Sequence, residues 1–137
     1  MPNLDKSKVL YVDDSRHQRR FAQRKLAPLQ CEIVLANDGE EGLRILLADS
    51  DITHLRTDND MPVMSGLQFL EMLSTQHQPR LQLLRHVVFK SAEFDSEERI
   101  GKEVHRVCAA IAELGVQITI TEGAAHEDSV WKRIATQ

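Results

Sequence analysis

The stretch TDNDMPVMSGLQFL (residues 57–70) lies near the middle of the chain and combines three local signals. Its first residue, Thr57, is the last residue of the apolar run ITHLRT (52–57), and two acidic residues, Asp58 and Asp60, come before Met-Pro and Ser-Gly. Ser65 and Gln68, three residues apart, form the pattern of a helix capping box. The stretch therefore predicts a strand that ends near Asp58, a sharp turn, and a helix that begins after Ser65.

Short apolar runs alternate with helical patterns along the rest of the chain. The five predicted strands are KVLYV (8–12), EIVLA (32–36), ITHLRT (52–57), HVVFKS (86–91) and VQITIT (116–121). Helical spacing is clearest from Ser96 to Leu114, a helix is also predicted over 15–27, and the polar link 74–82 is predicted to be a loose loop. Strands that alternate with helices indicate a parallel sheet covered on both faces.

The bulk composition is that of an ordinary globular protein. The chain has 137 residues, a net charge of −4 and 42% apolar residues, which predicts a single domain over 1–137. We expect no signal peptide, no membrane span and a cytoplasmic location, because no apolar run is long enough for either segment. Cys31 and Cys108 show no metal-binding or redox spacing and are expected to be buried and reduced.

Acidic residues follow two of the predicted strands at the point where each strand ends. The first strand runs into Asp13 and Asp14, the third into Asp58, and the fourth into Ser91. In an open parallel sheet, these carboxyl ends line the ligand crevice. Like charges about 4 Å apart repel by roughly 4 kcal/mol near a protein surface, so the cluster predicts a bound cation. Oxygen ligands favour Mg²⁺ over zinc.

A purely local interpretation of the same acids is also possible. Asp13 and Asp14 would then cap the helix at 15–27, and Asp58 would begin a turn. Each of these roles is common by itself. The coincidence of acids at two strand ends favours the cation site.

Four segments together resemble a known family. VLYVDD, ANDGEEGL, TDNDMPVMSGLQFL and VVFKSAE are similar to the response-regulator receiver domain of two-component signalling, in its stand-alone, CheY-like form. The resemblance covers about residues 8–93 in good register and the remainder more loosely. It implies an α/β fold with a doubly wound, five-stranded parallel sheet of strand order 2-1-3-4-5.

The resemblance also implies a role for each acid. Asp58 would be the phosphoacceptor, which takes a phosphoryl group from a histidine kinase or a histidine phosphotransfer protein. Ser91 would hydrogen-bond the acyl phosphate, and Ala92 would leave access to it. The implied magnesium ligands are Asp13 through water, the carboxylates of Asp14 and Asp58, and the backbone carbonyl of Asp60. No enzymatic activity is implied beyond self-phosphorylation and self-dephosphorylation, and the downstream protein target is not indicated.

Two features depart from the family pattern. The family ends its fifth strand with a lysine that contacts the phosphoryl group, whereas this chain has Thr121 or Glu122 there. We therefore expect a small conformational response to phosphorylation, confined near the phosphoacceptor and Ser91. His54 and Arg56 lie on the third strand, where a sheet covered on both faces favours apolar residues. One interpretation is that a helix layer is displaced there and that Arg56 pairs with an acid.

Three other functions were weighed against the phosphoacceptor. A receiver-like module that binds partners without phosphate is supported by the missing lysine. A phosphohydrolase of the haloacid-dehalogenase type would use Asp58 and Asp60, but Pro62 and the length of the chain disfavour it. The basic segment 16–25 raises the question of nucleic acid, yet the chain is acidic and only 4% aromatic, so neither nucleic acid nor membrane is expected as a partner. Arg19 and Arg20 are candidate contacts to a phosphodonor protein.

Overall fold

The computed structural model describes residues 3–91 and 98–136, with the side chains of 98–100 left aside. The strands are β1 (Lys8–Val12), β2 (Glu32–Ala36), β3 (His54–Asp58), β4 (His86–Lys90) and β5 (Gln117–Thr121). The helices are α1 (Arg16–Leu26), α2 (Gly39–Ala48), α3 (Gly66–Gln76), the short α4 (Gln78–Leu81), α5 (Glu98–Glu113) and α6 (Ala124–Ala135), and a 3-10 turn at Ala27–Leu29 follows α1.

The five strands form one parallel sheet of order β2-β1-β3-β4-β5, which confirms the predicted fold class. The predicted strand boundaries agree within two residues, the largest difference being the start of β3 at residue 54 instead of 52. Tyr11, Arg56 and Val88 lie side by side in the register of β1, β3 and β4. Because neighbours in register share a face of the sheet, these three side chains point to the same side.

A hydrophobic layer covers each face of the sheet. On one side, alternate strand residues such as Leu10 and Leu55 pack with Phe69 of α3 and Ile111 of α5. On the other side, the intervening residues, such as Val9, pack with buried side chains of α1 and α6. The buried residues of α1 and α6 in this second layer are Ala22, Leu26, Val130, Trp131, Ile134 and Ala135. Arg56 therefore points into the layer formed by α1 and α6.

The prediction of a loose loop over 74–82 is wrong. Helix α3 continues to Gln76, and α4 follows after a single residue. Arg80 anchors this segment, since its Nε donates to the carbonyl of Leu46 at 2.7 Å and its Nη2 donates to the carbonyls of Asp49 and Ile52. The polar composition of this segment favoured a loose loop. The carbonyl groups that hold Arg80 lie in a distant part of the sequence, so local composition could not indicate them.

The helix boundaries follow local capping. Ser65 and Gln68 form the predicted capping box at the start of α3. Helix α5 is described from Glu98, so the predicted start at Ser96 lies outside the described residues.

Cys31 and Cys108 are free and half-buried, so the expectation that both are buried holds only in part. Within the described ranges, each helix is too short or too polar to cross a membrane.

Candidate functional site

Three carboxylates meet at the carboxyl end of the sheet. Strands β1 and β3 are parallel neighbours, so the residues that follow β1 lie beside the end of β3. One carboxylate oxygen from each of Asp13, Asp14 and Asp58 lies within 4.8 Å of the others. Asp13 is buried, Asp58 is half-buried and Asp14 is exposed, which gives a pocket that is open on one side. We refer to these three residues as the acidic pocket.

The donor set of the acidic pocket fits a hard divalent cation. It offers carboxylate oxygens only, and Mg²⁺ is typically bound by one or two carboxylates with water filling the remaining positions. The exposed Asp14 leaves the solvent side free for such waters. Asp60, whose carbonyl was the fourth predicted ligand, lies exposed two residues beyond Asp58. The residues present therefore fit the ion that the sequence predicted.

The carboxylate of Asp58 is held by a backbone amide, and its pKa is raised. Its Oδ1 accepts a hydrogen bond from the amide of Asn59 at 2.9 Å. Burial raises the pKa of Asp58, and the nearby Asp13 carboxylate raises it further, whereas Arg56 and Lys90 act in the opposite direction. Asp58 is thus a partly desolvated carboxylate with one oxygen tied to the backbone.

The turn after Asp58 fixes the position of helix α3 against the pocket. The amide of Gly66 donates to the carbonyl of Asn59 at 3.0 Å, and the Asn59 side chain accepts from the amide of Leu67 at 3.0 Å. A side chain at Gly66 would collide with the Asp58 carbonyl, so only glycine allows this approach. The Met-Pro-x-x-x-Gly sequence therefore brings the start of α3 directly onto the phosphoacceptor candidate.

Asp13 makes more contacts than the other two acids. Its Oδ1 accepts from the amide of Ser15 at 2.9 Å, and its carbonyl accepts from Nη1 of Arg19 at 2.7 Å. The cap of α1 is Ser15, whose hydroxyl accepts from the amide of Gln18. Capping by Asp13 or Asp14 therefore does not account for these acids.

Arg56 connects Asp13 to helix α6. Its Nη1 donates to Oδ2 of Asp13 at 2.9 Å, and its Nη2 donates to Oε1 of Glu127 at 3.0 Å. The guanidinium also lies over the ring of Tyr11 at 4.1 Å from the ring centre. Burial lowers the pKa of Arg56, but Glu127 and the other neighbours outweigh burial, and the pKa is raised overall. The interpretation that Arg56 pairs with an acid is confirmed, with two acids instead of one. The displaced helix layer is wrong, because buried residues of α1 and α6 cover this face of the sheet.

The ends of β4 and β5 supply hydroxyl groups. Ser91 and Thr121 are both buried, and the amide of Ser91 donates to the carbonyl of Thr121 at 2.9 Å. Their hydroxyls have no hydrogen-bond partner among the residues that the structure describes. Glu122 is exposed. Ala92, the predicted access position, lies outside the described residues.

Lys90 and Glu127 lie near the acidic pocket and its arginine but were not predicted from the sequence. Lys90 is the register partner of both Asp58 and Thr121, so it places a positive charge one strand away from the end of β5. The sequence signal that could have indicated Lys90 was its position immediately before Ser91 in HVVFKS (86–91). Glu127 could have been found as the acid one helical turn before Trp131, on the apolar stripe of α6.

Comparisons with known proteins agree with this geometry. The family model for the response regulator receiver domain matches residues 9–103. The chemotaxis response regulator CheY4 of Vibrio cholerae superposes with a TM-score of 0.69 at 20% identity, over 94% of this chain and 98% of that one. A response regulator receiver protein from Pseudomonas putida gives a TM-score of 0.65 at 20% identity, over 96% and 98%.

A longer protein also shares the fold. A two-component system response regulator/GGDEF domain protein superposes with a TM-score of 0.67 at 21% identity over 96% of this chain, which spans only 48% of that protein. No curated protein matches the chain. At these identities the similarity between structures establishes the fold alone.

Proposed function

The chain belongs to the response regulator receiver domain family, and we propose that it accepts a phosphoryl group on Asp58 from a histidine kinase or a histidine phosphotransfer protein. The observation that carries this proposal is the acidic pocket, in which carboxylates from the ends of β1 and β3 lie within 4.8 Å of one another. Such a concentration of negative charge is costly without a cation, and a cation held there would attract the oxygens of a phosphoryl group.

Asp58 acts as the nucleophile. A carboxylate oxygen of Asp58 forms a bond to phosphorus while the phosphorus–nitrogen bond of the partner's phosphohistidine breaks, and the electron pair of that bond returns to the imidazole. The amide of Asn59 donates to Oδ1 of Asp58, which fixes the orientation of the carboxylate. The position of Asp58 at a strand end, half-buried and beside an open pocket side, allows an in-line donor to reach it.

Asp13, Asp14, Asp58 and the carbonyl of Asp60 would hold Mg²⁺. When bound, the ion supplies positive charge to the transferring phosphoryl oxygens. Asp13 already uses both carboxylate oxygens, one toward Ser15 and one toward Arg56, so its contribution is to bind a water of the ion. Asp14 is exposed and is the better direct ligand.

Ser91 and Thr121 complete the phosphoryl site. A buried hydroxyl without a partner costs free energy, and a phosphoryl oxygen would satisfy it. Both hydroxyls are unpartnered in the described part of the chain, which supports a role as donors to the phosphoryl group. Lys90 adds a positive charge near Asp58, as its effect on the pKa of that carboxyl indicates.

Helix α1 is the proposed docking surface for the phosphodonor. It begins directly after the acidic pocket and presents the exposed, basic residues Arg16, Arg20 and Arg24. Phe21 is 43% exposed on the same helix, with Lys25 over its ring at 4.9 Å. An exposed aromatic ring among arginines is typical of protein interfaces. Arg19 instead donates to the Asp13 carbonyl, so Arg20 is the better of the two predicted contacts.

Chemical labelling tests the phosphoacceptor assignment. The protein is incubated with acetyl phosphate and Mg²⁺, and its intact mass is measured. A second portion is reduced with borohydride, which displaces the phosphate and marks the acylated aspartate, and is digested for peptide mass spectrometry. We expect one phosphoryl group per chain, and the label on Asp58. Asp60→Asn is a matched control, since it removes a carboxylate from the same turn and should leave labelling intact, whereas Asp58→Asn should abolish it. Label on Asp60, or an unmodified wild-type chain, would reject the proposal.

A second function is favoured by the environment of Asp13. Arg56 neutralises this carboxylate from inside the protein, and Thr121 ends β5 without a charge. A receiver with its own buried cation can remain folded and bind partners without phosphate. A chain that acetyl phosphate does not label, but that still binds a histidine phosphotransfer protein, would support this function in place of the first.

A further inference from the structure

Arg56 is a buried cation in the middle of the sheet. Its side chain is 1% exposed, and its position on β3 places it on the face covered by α1 and α6. Isolated buried charges are unstable, so a guanidinium in the core requires partners on several sides. Arg56 donates from Nη1 to the Val12 carbonyl and to Asp13, and from Nε and Nη2 to the two carboxylate oxygens of Glu127.

One end of this arrangement is part of the acidic pocket. Oδ2 of Asp13 accepts from Arg56 at 2.9 Å, while the same carboxylate contributes an oxygen to the pocket with Asp14 and Asp58. A cation that enters the pocket and the guanidinium therefore compete for a single carboxylate. The two cations also repel each other, so a cation in the acidic pocket disfavours the contact between Arg56 and Asp13.

The other end lies on helix α6. Oε2 of Glu127 accepts from Nε1 of Trp131 at 3.1 Å, and the two residues are one helical turn apart. Both are buried, at 7% and 3% exposure. The hydrogen bonds thus run without a gap from Asp13 through Arg56 and Glu127 to Trp131.

We propose that Arg56 is a positioning residue that couples occupancy of the acidic pocket to helix α6, through Glu127 and Trp131. The coupling rests on the proposed function in that it requires the pocket to bind Mg²⁺. Binding that draws Asp13 toward the pocket weakens its bond to Arg56, and Glu127 becomes the dominant partner of the guanidinium. A ligand shifts such an equilibrium by its differential interaction with the two arrangements.

Trp131 makes the coupling measurable, because it is the single tryptophan of the sequence. Tryptophan emission is recorded during a titration of the wild-type protein with Mg²⁺, with KCl at matched ionic strength as the control. Calorimetry measures Mg²⁺ binding independently in the same buffer. We expect an emission change that saturates with the calorimetric midpoint, while KCl gives none.

Two variants of adjacent residues on α6 separate the coupling from a general charge effect. Glu127→Gln keeps an acceptor for Trp131 but removes the countercharge of Arg56. Asp128→Asn removes one charge from the neighbouring position, which pairs with Lys25 at the surface. We expect Glu127→Gln to weaken Mg²⁺ binding about fivefold and to suppress the emission change, and Asp128→Asn to alter binding by less than about twofold.

The possible failures are distinguishable. Calorimetric Mg²⁺ binding with unchanged Trp131 emission in the wild type overturns the coupling and leaves the metal site standing. Absence of Mg²⁺ binding overturns both. Equal effects of Glu127→Gln and Asp128→Asn on the Mg²⁺ midpoint also overturn the coupling. The wild-type titration decides even if a variant does not fold, and circular dichroism identifies that case.

Discussion

Strand β3 carries two buried polar side chains on one face, and they differ in charge. Arg56, near the acidic pocket, is charged and contacts two carboxylates. His54, two residues earlier, is also buried, and burial together with His86 and Arg85 lowers its pKa to about 4, so it is neutral at physiological pH. The core therefore retains a charge only where neighbouring elements supply opposite charges.

The environment of His54 explains its neutrality. Its Nδ1 and the hydroxyl of Thr53 are 2.8 Å apart, and its ring packs near Trp131 at 6.3 Å between centres. Its register neighbour His86 is likewise buried, and burial lowers the pKa of that imidazole too. Hydroxyl groups and rings satisfy a neutral imidazole but provide no countercharge for an imidazolium.

Removal of Arg56 should have the largest effect on stability. Arg56→Met leaves the carboxylates of Asp13 and Glu127 buried without their cation, and breaking such a buried pair costs about 3–5 kcal/mol. The double variant Arg56→Met/Glu127→Gln should recover part of this loss, because one of the two buried charges is also removed. Urea denaturation at neutral pH measures both free energies of unfolding. A loss below about 1 kcal/mol for Arg56→Met would mean that the network is incidental.

The protonation of His54 should produce the next largest effect. Below about pH 6.5 the unfolded chain takes up a proton on His54, whereas the folded chain does so only near pH 4. The unfolded state therefore binds more protons in this window, and the free energy of unfolding falls with decreasing pH, by up to about 3 kcal/mol from this residue. His54→Leu should remove this part of the dependence. Equal pH profiles for wild type and variant in urea denaturation would contradict the neutral assignment.

The surface pair between Lys25 and Asp128 provides the smallest expected effect. The two side chains are 29% and 43% exposed, with the charged atoms 2.9 Å apart. Asp128→Asn should lower the free energy of unfolding by less than about 1 kcal/mol, because water screens the charges and replaces the lost contact. A loss comparable to that of Arg56→Met would show that burial is not what separates the two pairs.

The sequence predicted both the fold and the acidic pocket. The strand ends follow from local patterns, and the strand order was implied by the resemblance to the receiver family. In a parallel sheet of that order, Asp13, Asp14 and Asp58 lie at one edge. The partners of Arg56 were not predictable in the same way. Glu127 lies 71 residues away in the chain, and periodicity indicates that a residue is buried but not which residue it contacts. The prediction of a loose loop over 74–82 failed for the same reason, since the carbonyl acceptors of Arg80 are also distant in the sequence.

The end of β5 is the part of the proposed site that departs from the pattern that the sequence resemblance implies. Thr121 can offer a neutral hydrogen bond, which contributes about 1 kcal/mol against about 1.5–3 kcal/mol for a bond to a charged group. The response to phosphorylation should therefore be weak along β5. The proposed coupling through Arg56 adds a second expected response, in helix α6 around Trp131.

The proposed phosphoacceptor role of Asp58 and the proposed coupling to α6 are tested together by a map of amide chemical shifts with and without beryllofluoride and Mg²⁺, which would imitate a phosphoryl group on Asp58. We predict changes near Asp58 and Ser91 and along α6 around Trp131, with small changes over 98–121. Thr121→Lys should enlarge the changes on β5. Widespread shifts over 98–121 in the wild type, with α6 unaffected, would contradict both the weakened role of β5 and the coupling through Arg56.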